Sequence, residues 1–453
     1  MAWNKRLPPL GAASLIILTG VAAAALAADD DPPMAPPESA APATKGNENA
    51  TKAGNTTWRD SLHALGITGS LRGGFWSSNR RLDDESNIAV ASAWVKLDKK
   101  LENGIGLYAE GYLVNEDVFG DQRDSSRLRE AYVEGRKGQF DYRVGKQTIA
   151  WGRADRLNPT DNLTPRDFTL LAPDVDEDRY GALAAKGMWN FTPSTNLTAV
   201  WLPEFQPNVV ALPSVPGTRY HEELPTSSRT CALKFDQSGG AVDWSVSYFD
   251  GFDLAADISR GTVVGSITTI NLKHNRLKVF GGDIATARGD YRYAFEAAYA
   301  RTDDPDGVDP GVKNPFFYGV FGIERDFGDN LDVIVQIFMR QVQNYSAPED
   351  IADPAIRAMA IQQAVVSNQY DRRQEGVSAR IAKKWFNETL EGELAAVMLL
   401  NRDGYSIRPK LTYAVSDTLK VMGGVEWFHG SDKTTYGLLE KNKGLFAEVR
   451  YFF

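Results

Sequence analysis

From about residue 65 to the last residue, the chain reads as runs of 9–15 residues in which apolar and polar side chains alternate. Period-two alternation places the two kinds on opposite faces of a β-strand. Leu331, Val333, Val335, Ile337 and Met339 oppose Asp332, Gln336 and Arg340. Leu419, Val421, Gly423, Val425 and Trp427 oppose Lys420 and Glu426, and Tyr291, Tyr293, Phe295, Ala297 and Tyr299 oppose Arg292 and Glu296. Eighteen such runs are read: 65–77, 86–98, 103–114, 125–135, 138–149, 180–190, 194–202, 228–236, 240–250, 274–287, 291–301, 316–326, 331–343, 371–385, 388–400, 404–416, 418–429 and 443–453. The segment 262–272 is left open between an extra strand and a hairpin in a loop.

The connections constrain how these strands assemble. Short ones, at 99–102, 136–138, 192–194, 237–239, 289–290, 328–330, 387–388 and 416–417, all fall at even-to-odd joins. Long ones, at 151–179, 203–227, 251–273, 302–315, 344–370 and 430–442, all fall at odd-to-even joins. An even number of strands with short turns at one end and long loops at the other predicts an all-β transmembrane antiparallel barrel of about 18 strands with long external loops. After the N-terminus there is no stretch of about 18 uninterrupted apolar residues, so no helix is expected to span a membrane. Trp76, Trp94, Trp189, Trp201, Trp385 and Trp427 stand near predicted strand ends, and they are expected to form two girdles at the lipid–water boundaries. In the last run Phe453, Tyr451, Val449, Ala447 and Leu445 share one face, with Arg450 and Glu448 on the other. This ending resembles the signal read by the outer-membrane barrel-assembly machinery, which the resemblance makes a partner, beside outer-membrane lipid and lipopolysaccharide.

Residues 1–27 read as a signal peptide: Lys5 and Arg6, an apolar stretch at 10–26, and Ala25-Leu26-Ala27 as a small-x-small cleavage site. Residues 28–60, rich in Ala, Pro, Asp and Asn, read as a disordered periplasmic lead-in, leaving 61–453 as the barrel. The expected location is the bacterial outer membrane. The formal charge of -9 becomes -11 once Lys5 and Arg6 are removed, which argues against a nucleic-acid partner. The single cysteine, Cys231, allows no intrachain disulfide and reads as a small apolar strand residue.

A barrel of this size encloses a lumen that side chains alone do not fill. Inward positions include Arg143, Arg292, Arg340, Arg380, Lys384, Arg408, Lys410, Lys420 and Arg450, against Glu296, Asp332, Glu391, Glu393, Glu426 and Glu448. The most distinctive loop, 151–179, carries Arg153, Arg156 and Arg166 with Asp155, Asp161 and Asp167, and its Asn-Pro-Thr-Asp and Thr-Pro-Arg-Asp turns suggest a fixed conformation. These six residues, with Arg143 on the adjacent wall, are the candidates for a pore constriction. The other reading is a self-paired loop that closes the mouth. Asp174, Asp176, Glu177 and Asp178 offer hard oxygens but lack a calcium-loop pattern, and a solvated acidic loop is expected rather than a metal site. Residues 352–367 read as a short helix starting at Asp353-Pro354, and the five prolines of 203–227 as a stiff excursion. No Gly-x-Ser-x-Gly, Cys-x-x-Cys or His-Glu-x-x-His occurs among these residues, so neither an enzyme nor a cofactor is expected.

The strand count, the stretch from Gly145-Lys146-Gln147 to Gly152-Arg153, and the aromatic C-terminus resemble the alginate-export-type porins and related large outer-membrane barrels of Gram-negative bacteria. The resemblance implies a channel; exporters of that family have a strongly basic lumen for an acidic polysaccharide. The expectation is a porin-like channel for small or oligomeric polar solutes, anionic ones included, with oligomeric state left open. The alternatives are a closed scaffold or surface barrel, and a dedicated polysaccharide or lipid exporter fed by a periplasmic partner docking on 28–60.

Overall fold

A computed structural model describes residues 58–453 apart from 79, 83–84, 121–122, 213–214 and 227–228; the expected signal peptide and most of the expected lead-in lie outside the described residues. The described residues begin with a short helix, Trp58–Ala64, so residues 58–60 are helical where a disordered lead-in was expected. Twenty-one strands follow. β1 to β7 are Ile67–Trp76, Ile88–Lys100, Gly106–Glu116, Arg123–Lys137, Phe140–Gln147, Ala182–Thr192 and Thr195–Leu202. β8 to β14 are Thr218–Glu223, Thr230–Gln237, Asp243–Phe252, Asp257–Val264, Ile267–Lys273, Arg276–Arg288 and Tyr291–Arg301. β15 to β21 are Phe316–Asp326, Leu331–Val342, Arg373–Trp385, Leu390–Leu399, Gly404–Ser416, Leu419–Gly430 and Gly444–Phe452.

Eighteen of these form one sheet in which each strand pairs antiparallel with the next in sequence, and β1 pairs with β21, which closes the barrel. These are the eighteen strands expected from the alternation. The other three, β8, β11 and β12, form a small sheet at the long-loop end. The open segment 262–272 therefore belongs to a loop hairpin, β11–β12, onto which β8 of the proline-rich excursion adds in parallel. Short turns take left-handed backbone where needed: Gly328, Asp329 and Asn330 have φ of 75°, 49° and 57°.

Register follows the alternation. Val335, Ile337, Met339, Val421, Val425, Leu445 and Val449 are exposed on the outer surface, whereas Gln336, Arg340, Glu426, Glu448 and Arg450 are buried within. A wall that is apolar outside and charged inside suits lipid on one face and water on the other. The expected girdles need correction. Trp189, Trp201, Trp385 and Trp427 are exposed on the outer surface, but Trp76 and Trp94 are 2% and 5% exposed and face the lumen. Trp76 stacks on Phe446 at 4.7 Å, and Trp94 lies against Tyr112 at 4.5 Å with Arg72 over its ring. They line an internal aromatic patch that receives the loop described next.

Candidate functional site

Residues 148–181, between β5 and β6, turn into the barrel. Ile149, Trp151 and Leu163 join a buried cluster with Ala184, Val200, Ala232, Val279 and Ala298 of the inner wall. Ala154 and Leu157 join a second with Val320, Ala395, Val397 and Phe428, and Leu170–Ala172 a third with Trp76, Trp94, Tyr112 and Phe446. The loop thus crosses the lumen, and polar side chains tie it to the wall at both ends of the crossing.

The first half docks on an acidic wall. Glu296 of β14 is fully buried, and its carboxylate accepts from Arg153 N (3.0 Å), Ala154 N (3.3 Å), Thr160 N (2.8 Å) and Thr160 Oγ1 (2.8 Å). Gly152, at φ 115°, permits this approach, because a Cβ there would lie 2.5 Å from Glu296 Oε2. Arg153 reaches Asp283 of β13 at 2.5 Å, Asp236 of β9 at 3.3 Å and Asp243 of β10 at 3.6 Å. Arg156 donates to Glu393 of β18 at 3.0 Å, where Arg380 also binds, and lies 3.7 Å from Asp155.

The second half docks on a basic wall. Asp174 accepts from Lys410 of β19 at 2.9 Å and Arg450 of β21 at 3.0 Å. Glu177 sits between Arg72 of β1 at 2.8 Å and Arg450 at 3.2 Å, two arginines that face each other across the closing seam. Asp167 binds Arg127 of β4 at 3.0 Å. Main-chain carbonyls take further guanidinium groups: Leu170 from Arg80, Pro173 from Arg408, and Asp176 and Arg179 from Arg129. Desolvation alone would raise the Asp174 pKa, but Lys410 and Arg450 more than offset it and hold the carboxyl at about 2. The acidic cluster is therefore clamped by cations and not solvated as expected, and among the described residues no group suited to a metal is found.

Between the halves the loop braces itself. Arg166 binds Asp178 at 2.9 Å and lies 3.8 Å from Asp161, which Arg179 also binds at 2.7 Å. The structure brings Arg153, Arg156, Asp155, Asp161, Arg166 and Asp167 into one inserted loop. Arg143 stands apart: it pairs with Glu134 on the adjacent strand at 2.8 Å and stacks over Tyr132. Sequence reasoning placed Glu296, Glu393, Arg408, Lys410 and Arg450 inward without linking them to the loop, and it passed over Arg72, Asp236 and Asp283. Strand parity was the available signal for those three.

The other long loops cap the same end. Val209 exchanges main-chain hydrogen bonds with the inserted loop, donating to Arg166 O at 2.8 Å and accepting from Phe168 N at 3.0 Å. The helix expected in 352–367 is Pro354–Val366, capped by Asp353, whose side chain accepts from Ala355 N and Ile356 N. Its Gln363 accepts from Ile258 N at 2.6 Å and donates to Asp257 at 2.5 Å, which fixes the helix to the small sheet.

Comparison with known proteins extends the fold. A family model described as "Protein of unknown function (DUF1302)" matches residues 43–215, a span that runs through β1–β7 and the whole inserted loop. No curated protein matches. Among solved structures, Acinetobacter baumannii OccAB2 is 9% identical over 85% of this chain and 97% of its own, with a TM-score of 0.50. Pseudomonas aeruginosa OccK11 (OpdR) is 11% identical over 85% and 95%, at 0.49, and a loop-deletion mutant of OmpT, an outer membrane protein of Vibrio cholerae, is 12% identical over 85% and 98%, at 0.42. At these identities the similarity is one of fold: this chain is a closed, porin-like, eighteen-stranded antiparallel barrel.

Proposed function

We propose that the chain is a channel of the bacterial outer membrane that passes small or oligomeric polar solutes, with loop 148–181 as its constriction. One observation carries this reading: the loop crosses the lumen with arginines of its first half on wall carboxylates, Asp283 and Glu393, and carboxylates of its second half on wall cations, Lys410 and Arg450. Opposed charged walls at a narrowing act on ions and dipolar solutes as they pass. A barrel built only as a scaffold has no need to hold so many ionised groups inside, since each costs desolvation. Arg153 and Arg156 are the cations of the constriction, with Arg166 bracing the loop from within. The basic wall, Arg72, Arg408, Lys410 and Arg450, favours anionic solutes, the chemistry that the resemblance to acidic-polysaccharide exporters also suggests.

The test is reconstitution in a planar lipid bilayer, with conductance and reversal potential recorded in a salt gradient. Stable open steps with an anion-favouring reversal potential are the expected result. Silence from well-folded protein would instead support a closed scaffold, a second reading favoured by the polar ties of the loop to nine strands of the wall.

A further inference from the structure

The outer surface carries a charge pattern that the lumen does not explain. On β10, β13, β14 and β15 the outward side chains stand in rows set by the register. One row places Tyr248, Phe280, Tyr299 and Phe317 side by side, with ring centroids 4.8 Å apart for Tyr248 and Phe280 and 4.7 Å apart for Tyr299 and Phe317. The next row toward the long loops is Asp250, Lys278 and Arg301, and beyond it Arg276 stands opposite Phe252. Asp250 binds Arg276 at 2.7 Å and lies 3.6 Å from Lys278. Arg301 is exposed and, among the described residues, forms no ion pair. Three cations thus share one carboxylate, and Lys278 and Arg301 face each other directly across β13 and β14, where like charges repel. On β17 the outward cation of the same end, Arg373, has a carboxylate of its own, Glu375. The other lipid boundary is marked on these strands by Tyr291, with Arg325 over its ring at 4.7 Å. Tyr291 and Arg301 are the two ends of β14, about 33 Å apart along the strand and roughly 25 Å apart in height at a barrel tilt of about 40°. That is the height of an apolar band, so the cation row stands at headgroup level on the long-loop side.

We propose that Arg276, Lys278 and Arg301 bind a phosphomonoester on the headgroup of the outer-leaflet glycolipid, lipopolysaccharide. The proposal rests on the outer-membrane location given above and not on conduction. Three positive charges against the one carboxylate leave two in excess. A phosphomonoester carries about 1.5 to 2 negative charges near neutral pH and offers three strong acceptor oxygens. The phosphodiester of a common phospholipid carries a single negative charge and leaves part of the excess unanswered. A phosphate seated between Lys278 and Arg301 replaces their repulsion with charge-assisted hydrogen bonds. The acyl chains then run down over Phe280, Tyr299 and Phe317, so one molecule meets both the cations and the ring row beneath them. Arg373, already neutralised by Glu375, offers no such excess.

The experiment is native mass spectrometry of the full-length protein, folded in detergent and titrated with three lipids: lipid A bearing two phosphomonoesters, the same lipid after enzymatic removal of its phosphates, and phosphatidylglycerol. Lipid A is expected to bind at least about tenfold tighter than either of the others. Lys278→Gln combined with Arg301→Gln is expected to weaken lipid A by about tenfold and to leave the dephosphorylated lipid unchanged. Arg373→Gln is expected to change neither. Should the double variant fail to fold, the comparison of the three lipids on wild-type protein carries the test. Equal affinity for lipid A and its dephosphorylated form, equal affinity for phosphatidylglycerol, or unchanged lipid A binding in the folded double variant would each overturn the proposal. An equal loss in Arg373→Gln would do so too, since any cation of the rim would then suffice. None of these readouts depends on conductance, so failure here and failure of the channel reading are told apart.

Discussion

The two halves of the inserted loop are held in opposite ways. The first half concentrates its attachment: three main-chain N–H groups and a hydroxyl converge on the single carboxylate of Glu296, and two arginines reach the acidic wall. The second half spreads its attachment over Arg72, Arg80, Arg127, Arg129, Arg408, Lys410 and Arg450, with Asp174 and Glu177 each served by two cations. Main-chain donors cannot be rerouted without moving the backbone, whereas one cation among several can be lost with little movement. The first half is therefore positioned accurately but vulnerable at one residue, and the second half is tolerant.

The sharpest way to break this comparison is Glu296→Leu. Each buried donor left without a partner costs about 1–3 kcal/mol. Single-channel conductance is expected to rise several-fold, with new protease cleavage inside 151–160. Wild-type conductance and no cleavage would show that the first half is fixed from elsewhere. A smaller effect is expected from Arg153→Gln combined with Arg156→Gln, which takes the loop's cations away from Asp236, Asp283 and Glu393 while leaving Lys234 on Asp236 and Arg380 on Glu393. Here the reversal potential moves toward cations while conductance changes little; an unmoved reversal potential would remove both arginines from the ion path.

Smaller again is Lys410→Met. Asp174 keeps Arg450 at 3.0 Å, so the stability change measured by denaturation is about 0.2–1 kcal/mol. A loss well beyond that would show the second half to be as concentrated as the first. The least effect is expected from mild acid. Because the folded-state pKa of Asp174 is depressed to about 2 from an ordinary 3.8, its contribution is complete above the ordinary value and is lost as pH falls from there toward 2. Asp174 is thus expected to stay ionised on its cations from neutrality to about pH 4, and its protonation within that interval, followed by its carboxyl NMR signal, would contradict the clamp.

The barrel was legible because each strand carries its own alternation, and the short turns are local signals. Trp94 shows where that signal fails. It sits in Ala91-Ser92-Ala93-Trp94-Val95, where small and apolar residues occupy both faces and nothing local says which one turns inward. The loop was legible as a fixed, charged excursion from its turn formers. Its anchors were not, since Glu296 lies 136 residues from Thr160 and 143 from Arg153, a distance across which no periodicity runs. The small sheet was half legible: a loop hairpin was one of the two readings left open for 262–272, but its parallel partner lies among prolines that mask a strand of six residues.

The closing seam carries a consequence for the order of assembly. Seventeen of the eighteen pairings in the barrel sheet join consecutive barrel strands, and those linked by short turns form early because little chain entropy is lost. The seam alone joins the two ends of the barrel sequence, and its register sets Arg72 directly opposite Arg450, a like-charge pair that resists closure. Glu177 lies between them and contacts both. Arg450 also pairs with Glu448 of its own strand at 2.8 Å, so the loop carboxylate adds to a counter-charge that the last strand brings with it, and closing the cylinder and seating the loop are expected to favour each other. The segment that crosses the lumen of the finished barrel thus also places a carboxylate against the like charges of its closing seam.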